Sequence, residues 1–321
     1  VISTESAITR ISQARVPADL FGSDAPAADY RKLARSVHPD IHPGDPDAEA
    51  AFRRLSELWA AHGSGGPVLA ARGDIANLYR AGAGLLDKMP RDPADSDLIR
   101  AEARALRKLP ADAPAPARAF YPELIRTARH KDPGTGMTRQ VNTITELAGF
   151  VTLADVSRVY PGGLDARDAA WMWRRLLFAL GGAHRAGLVH GAVLPPHVMI
   201  LPAQHGLVLA DWCYSGPGPD HRLAAVPRAW RDWYPGQALS GKAATSGTDV
   251  AMAASVMTGL VGGGMPRSLR AFARGCQLVS GLDAWAALAD FDDLIGRLWG
   301  PRTFRPFAMP ATGTTTAGRA P

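Results

Sequence analysis

A histidine and an aspartate flank a proline at His38-Pro39-Asp40, and His42 follows four residues after the first histidine. Imidazole and carboxylate groups could ligate a metal, but prolines hold this loop out of helical geometry and no further ligand is near, so the spacing does not make a metal site. The run from Gly236 to Lys242, GQALSGK, has the spacing of a loop that cradles phosphate. Ala243 follows where a hydroxyl would hold magnesium, and no clear buried strand precedes the run, so phosphate chemistry is not expected there. Serines and histidines are plentiful, yet no GxSxG nucleophile elbow occurs. The two cysteines, Cys213 and Cys276, stand too far apart for zinc spacing or a disulfide framework, which suits a reducing compartment. The exposed tripeptide itself therefore points to recognition more than to reaction.

The tripeptide needs two helices to present it. Tyr30, Leu33, Ala34 and Val37 recur at three- and four-residue spacing and give one apolar helical face, with Arg31, Lys32 and Arg35 on the rest. Pro39 disfavours helix at His38 and ends the run. Pro43, Gly44 and Pro46 keep the chain in a loop. Asp45 then precedes Pro46 at a first helical position. Ala51, Phe52, Leu55, Leu58 and Trp59 form a second apolar stripe. Two such helices across a short loop pack antiparallel and leave His38 to Asp40 at one tip.

The whole stretch YRKLARSVHPDIHPGDPDAEAAFRRLSELW, from Tyr30 to Trp59, resembles the J-domain, by which co-chaperones dock on a seventy-kilodalton heat-shock chaperone and stimulate its ATPase. The resemblance implies that His38, Pro39 and Asp40 carry the stimulation. It implies that Arg31, Lys32 and Arg35 meet an acidic surface of the chaperone, an attraction that weakens with salt. The chain between Gly22 and Tyr30 is shorter than the family usually allows, and Leu20 and Phe21 are expected to be what remains of its first helix. The implied partners are that chaperone and a protein client the sequence does not identify.

With 321 residues the chain has room for two or three domains. Its net charge of +6 rests on scattered arginines that are not interleaved with aromatics, so nucleic acid is not an expected partner. No run of about eighteen apolar residues and no signal pattern occurs, so no membrane partner and a cytoplasmic location are expected. The expected layout is a loosely tied lead-in at 1–16, the J-like unit at 17–62 and a linker at 63–67. A larger domain follows at 68–308, then a disordered tail at 309–321. In the larger domain, short β-like runs mix with helix up to Phe150, and helix dominates from Leu153. Asp165 to Ala186 and Ala284 to Trp299 read as amphipathic helices, and Leu207 to Ala210 as a short strand.

Within that domain, AHRAGLVHGAVLPPHVMI from Ala183 to Ile200 resembles the catalytic loop of protein kinases and its lead-in. His184 and His190 match the two histidines of the pattern. Gly191, Ala192 and His197 stand where the family has Arg, the catalytic Asp and the metal-binding Asn. LVLADW then places Asp211 at the family's metal-binding Asp, with Trp212 and Cys213 for Phe and Gly. TDVAMAASVMTGL resembles the long buried helix of the large lobe, with Asp249 at its Asp. Upstream, the resemblance offers Lys88 as the strand lysine for nucleotide phosphates and Glu102 as its helix partner. Gly73 is the one glycine near the place of the glycine-rich loop. The implied fold is α+β: a small all-α J-like helical hairpin, then a bilobal kinase-like domain with a β-rich N-lobe and a helical C-lobe.

The departures share one direction. Ala192 can neither accept a proton nor orient a hydroxyl, a loss of about 100- to 10,000-fold when a positioned acid–base group is removed. His197 is a poorer magnesium ligand than Asn, because hard magnesium prefers oxygen. Gly191 cannot receive an activation-loop phosphate, and Gly236 stands where the family has Glu. The expectation is a pseudokinase with no catalytic residue. Lys88, Glu102 and Asp211 remain as its nucleotide site, Asp211 as its metal ligand, and ATP with Mg2+ as the cofactor such a site would take. The rivals are an ATP-dependent kinase-like transferase in which another residue orients the acceptor, and a non-catalytic scaffold.

Overall fold

The structure is a computed structural model and describes residues 2–14, 17–22, 25–64, 68–131, 136–218, 221–241, 243–279 and 281–309. It divides into two compact units. One is built on the chain up to Ala70 with Tyr79–Ala83, the other on Ala71–Leu78 and the chain from Gly84 onward.

The first unit is helical: α1 (Thr4–Gln13), α2 (Pro26–Val37) and α3 (Pro46–Ser64). Ser3 caps α1 by accepting the backbone N–H of Ser6. Asp45 caps α3, its carboxylate accepting the N–H of Asp47 at 3.0 Å and of Ala48 at 3.2 Å, and Pro46 fills the first turn where its missing N–H costs nothing. Tyr30 stacks on Trp59 at 4.6 Å while His38 meets the edge of Phe52 at 5.0 Å. The start of α2 thus lies by the end of α3, and the two run antiparallel.

The expectation of a loosely tied lead-in at 1–16 is corrected. Ala7 and Ile11 of α1 are fully buried in one apolar cluster with Leu33 and Val37 of α2 and Ala51, Leu55 and Leu58 of α3. The expected hairpin is therefore part of a three-helix unit. Leu20 and Phe21 join the cluster just after a 3-10 turn at Pro17–Asp19, so they are not a remnant of the first helix. Ala7, Ile8 and Ile11 give α1 a narrow apolar face, and its remaining seven positions are polar or charged. Of the expected linker, Gly63 and Ser64 end α3 and 65–67 lie outside the described residues, as does the expected tail from 310.

Beyond α3 come β1 (Leu69–Arg72), β2 (Ala76–Arg80), β3 (Leu85–Pro90), α4 (Ser96–Asp112), β4 (Leu124–Lys131) and β5 (Thr138–Thr145). The five strands form one sheet in the order β1-β2-β3-β5-β4. β5 pairs antiparallel with both β3 and β4, and its Asn142 lies opposite Lys88. The buried face of α4 carries Leu98, Ile99, Leu106 and Leu109.

A helical region follows: β6 (Val151–Thr152), α5 (Leu153–Val159), α6 (Ala166–Arg185), β7 (Leu188–Val189), β8 (Val198–Leu201), β9 (Gly206–Leu209), β10 (Gly216–Pro217), α7 (Gly236–Leu239), α8 (Ser246–Val261), α9 (Arg267–Leu278) and α10 (Ala284–Trp299). α8 is buried nearly all round, as a central helix must be. Trp173, Leu176, Leu177 and Leu180 of α6 share its core with Met252, Met257 and Phe291. Each such side chain contributes about 1.5–3 kcal/mol on full burial. This mixed architecture, an antiparallel sheet followed by a helical region, is of the α+β class. Among the described residues no helix is long and apolar enough to cross a membrane.

Candidate functional site

In the second unit the side-chain alternation of β3 turns Lys88 inward, where it is only 5% exposed. Its ammonium lies 2.8 Å from Glu102 Oε1 on α4 and 2.8 Å from Asp211 Oδ1 after β9. Asn142 fixes the other oxygen of Glu102, its Nδ2 donating at 3.0 Å and also to the Ile99 carbonyl at 2.8 Å. Burial alone would lower the Lys88 pKa, but the pull of Asp211, Cys213 and Glu102 holds it well above the ordinary lysine range. Burial would likewise raise the Asp211 pKa, yet Lys88 and then His197 keep it well below the usual carboxylate range. The three residues named from sequence as a nucleotide site are thus brought together.

Asp249, near the start of α8 and fully buried, organises the loop after α6. It accepts the backbone N–H of His190 at 2.8 Å, the N–H of Gly191 at 2.8 Å and the Nε2–H of His184 at 3.0 Å. His190 in turn donates Nε2–H to the Ala210 carbonyl at 2.9 Å and accepts the Ala192 N–H on Nδ1 at 3.2 Å. That pair of bonds requires the neutral ring, and burial pushes the His190 pKa down to about 4. Trp212 sets its edge against His190 at 4.6 Å and donates to the Leu209 carbonyl at 2.8 Å. Asp211 itself sits in the left-handed region at φ 62°.

Gly191 and Ala192 are built into this loop. Gly191 has φ 75°, and a Cβ there would lie 2.8 Å from the Tyr214 carbonyl and 2.6 Å from Leu223. Ala192 is fully buried, and its carbonyl accepts His197 Nδ1–H at 2.8 Å. The other ring nitrogen of His197 then faces Asp211 Oδ2 at 3.4 Å.

Sequence reasoning missed Asp74. It lies in the β1–β2 turn, where Tyr214 donates its hydroxyl to the Asp74 carboxylate. The ligand atoms of Asp74, His197 and Asp211 all lie within 4.8 Å of one another. Gly73 makes the approach feasible: its N–H donates to the Ala76 carbonyl at 2.8 Å, and a Cβ would meet that oxygen at the same distance. The signal available was an acid directly after the one glycine of a tight turn.

In the first unit, His38 and Asp40 keep 41% and 89% of their side chains exposed, and Arg31, Lys32 and Arg35 are exposed on α2. His38 Nδ1 accepts the Asp40 N–H at 3.2 Å, which holds the tripeptide as a turn. The GQALSGK run begins as the single turn of α7 and is preceded by a 3-10 helix, Arg228–Trp233, so it lacks the strand a phosphate loop needs. Its Lys242 lies outside the described residues.

No family model matches the chain. Its fold is similar to the structure of vaccinia related kinase 3, with a TM-score of 0.55 and 14% identity, covering 72% of this chain and 86% of that one. The fold is therefore kinase-like. A short stretch is 57% identical over 30 residues to the chaperone protein DnaJ of Desulfitobacterium hafniense, covering 9% of this chain and 8% of that protein. DnaJ of Acetivibrio thermocellus is 43% identical over 47 residues, 13% of this chain and 12% of that protein. The chain thus spans only about a tenth of the curated relatives it matches. A kinase-like fold and a short DnaJ-like stretch meet in one polypeptide.

Proposed function

We propose that this protein is a J-domain-type co-chaperone whose kinase-like unit is a catalytically silent binding module for a protein client. The observation that carries the reading is the His38-Pro39-Asp40 turn. It stands exposed at the tip of antiparallel helices, beside Arg31, Lys32 and Arg35. The basic face steers the unit onto an acidic surface of a seventy-kilodalton chaperone, and the tripeptide stimulates that partner's ATPase. Catalysis belongs to the partner.

The kinase-like cleft fits magnesium and ATP poorly. Lys88 is held at 2.8 Å by Asp211 in addition to its expected partner Glu102. An imidazole stands where the second oxygen ligand for magnesium is needed, and Asp74 adds a carboxylate that repels phosphates. Ala192, enclosed where the family has its catalytic Asp, cannot take a proton from an acceptor. No phosphoryl-transfer step follows from these residues. The rival transferase reading draws only on the Lys88–Glu102–Asp211 triad, and it requires labelled phosphate incorporation that disappears in Lys88→Ala.

The test of the co-chaperone reading is single-turnover ATP hydrolysis by the seventy-kilodalton chaperone, with and without the full chain. Stimulation by the parent and none by His38→Gln is the expected result. Stimulation retained by His38→Gln, or none from the folded parent, overturns the reading.

A further inference from the structure

Away from the cleft, α6 carries Arg167, Trp171, Arg174 and Arg175 at three- and four-residue spacing, so they share one face. After α10 the chain turns at Gly300, with φ 76°, and runs back past that face. Between the two lies a cavity of about 490 Å3, within the roughly 300–1,000 Å3 range of small-molecule sites. Among the described residues five arginines line it, the others being Arg302 and Arg305, and no aspartate or glutamate does.

The wall is built, not loose. His205 adopts φ 51° and is sandwiched between Trp171 at 4.2 Å and Phe304 at 4.3 Å. Its Nε2–H donates to the Arg305 carbonyl at 2.7 Å, which ties the returning segment down. Ile295 and Trp299 complete an apolar, largely aromatic side.

The charges around the cavity do not cancel. Asp292 holds Arg174 with two bonds of 2.8 and 3.0 Å and lies 3.9 Å from Arg302. Asp168 holds Arg305 at 3.0 and 3.4 Å, with Asp165 at 3.6 Å. Arg167 and Arg175 have no carboxylate partner among the described residues. Each instead lies over an aromatic ring, Arg167 at 5.9 Å from Trp299 and Arg175 at 5.7 Å from Phe120. Arg175 is half-buried beside Arg174, and burial and then that neighbour lower its pKa. A half-buried cation beside a like charge is stabilised by any anion that reaches it.

We propose that this cavity binds a small organic phosphate bearing a planar ring, the phosphate on Arg175 and the ring against the aromatic side, where Arg167 lies over Trp299. Guanidinium forks match phosphate oxygens in pairs, and indole faces accept a flat ring. The site is independent of the co-chaperone reading, and chaperone stimulation does not report on it.

The test is calorimetric titration of the full chain with AMP, with adenosine and inorganic phosphate as the two half-ligands. Saturable AMP binding is expected, weakened about tenfold or more by Arg175→Gln and by Arg167→Gln, with each half-ligand weaker than AMP. Arg167 is exposed, so its variant tests the site without risk to folding; a melting curve confirms the fold of Arg175→Gln. AMP binding unchanged in both variants places the ligand elsewhere and overturns the proposal. No binding of AMP by the folded parent also overturns it. Inorganic phosphate binding as tightly as AMP overturns the ring and leaves an adventitious ion only.

Discussion

Replacing Lys88 with methionine is expected to destabilise the second unit by about 3–5 kcal/mol at pH 7, the cost of removing one partner from a buried ion cluster. The cluster is nearly dry: Glu102 is 2% exposed, and Lys88 lies 2.8 Å from both carboxylates. Methionine matches the lysine stem in volume, so little of the loss is packing. Without Lys88, the buried Asp211 must stay ionised in a poor solvent or take up a proton on folding. The pH dependence separates this cause from general damage. In the parent, Asp211 has a depressed pKa, so its stabilisation is full above the unfolded carboxylate value of about 3.9 and is lost as pH falls through the lower folded value. Lys88 has a raised pKa, so its share is full below about 10.5 and is lost as pH rises through the higher folded value. In Lys88→Met the carboxylate penalty operates at neutral pH and fades as pH falls towards about 4, where the unfolded chain is protonated too. Urea titrations followed by tryptophan fluorescence read the right unit, since Trp59 alone of the eight tryptophans lies in the first. A loss under about 1 kcal/mol, or one that does not change between pH 7 and pH 4, refutes the reasoning.

Asp249→Ala leaves the N–H groups of His190 and Gly191 buried and unpaired, and should cost about 3–5 kcal/mol and release the loop, read as a lower Tm and faster amide exchange at Gly191. Asp74→Asn removes a carboxylate near Asp211, worth about 3 kcal/mol at 5 Å and an effective dielectric constant of 20. Mg-ATP should therefore raise the Tm of Asp74→Asn measurably more than that of the parent; equal shifts count against Asp74 as the repelling group. Chaperone stimulation by the parent should fall as salt rises from 50 to 500 mM, and Arg31→Glu with Lys32→Glu should remove both the stimulation and its salt dependence.

Local signals carried far in this chain. α10 begins at Ala284 and ends at Trp299, and α3 begins at Pro46 after an Asp45 cap, as periodicity and capping chemistry indicate. Lys88, Glu102 and Asp211 were legible because each follows its own short pattern on a strand, a helix and a strand end. α1 was not, because two buried residues in ten give a weak stripe. Asp74 was not, because its partner Tyr214 is 140 residues away. The arginine-lined cavity depends on a return segment whose path is set by Arg305 reaching Asp168 across 137 residues, and no window of sequence contains that contact. Gly191 read as a lost arginine, whereas its positive φ is a backbone requirement.

That requirement bears on how the molecule can change over evolutionary time. Gly191 has no room for a side chain, Ala192 is enclosed, and His197 is bonded to the Ala192 carbonyl. A side chain at Gly191, or a larger one at Ala192, would meet surroundings that are already filled, so a substitution there disturbs the loop before it confers anything. The loop is therefore among the least replaceable parts of this unit, while exposed positions of its surface carry no such constraint.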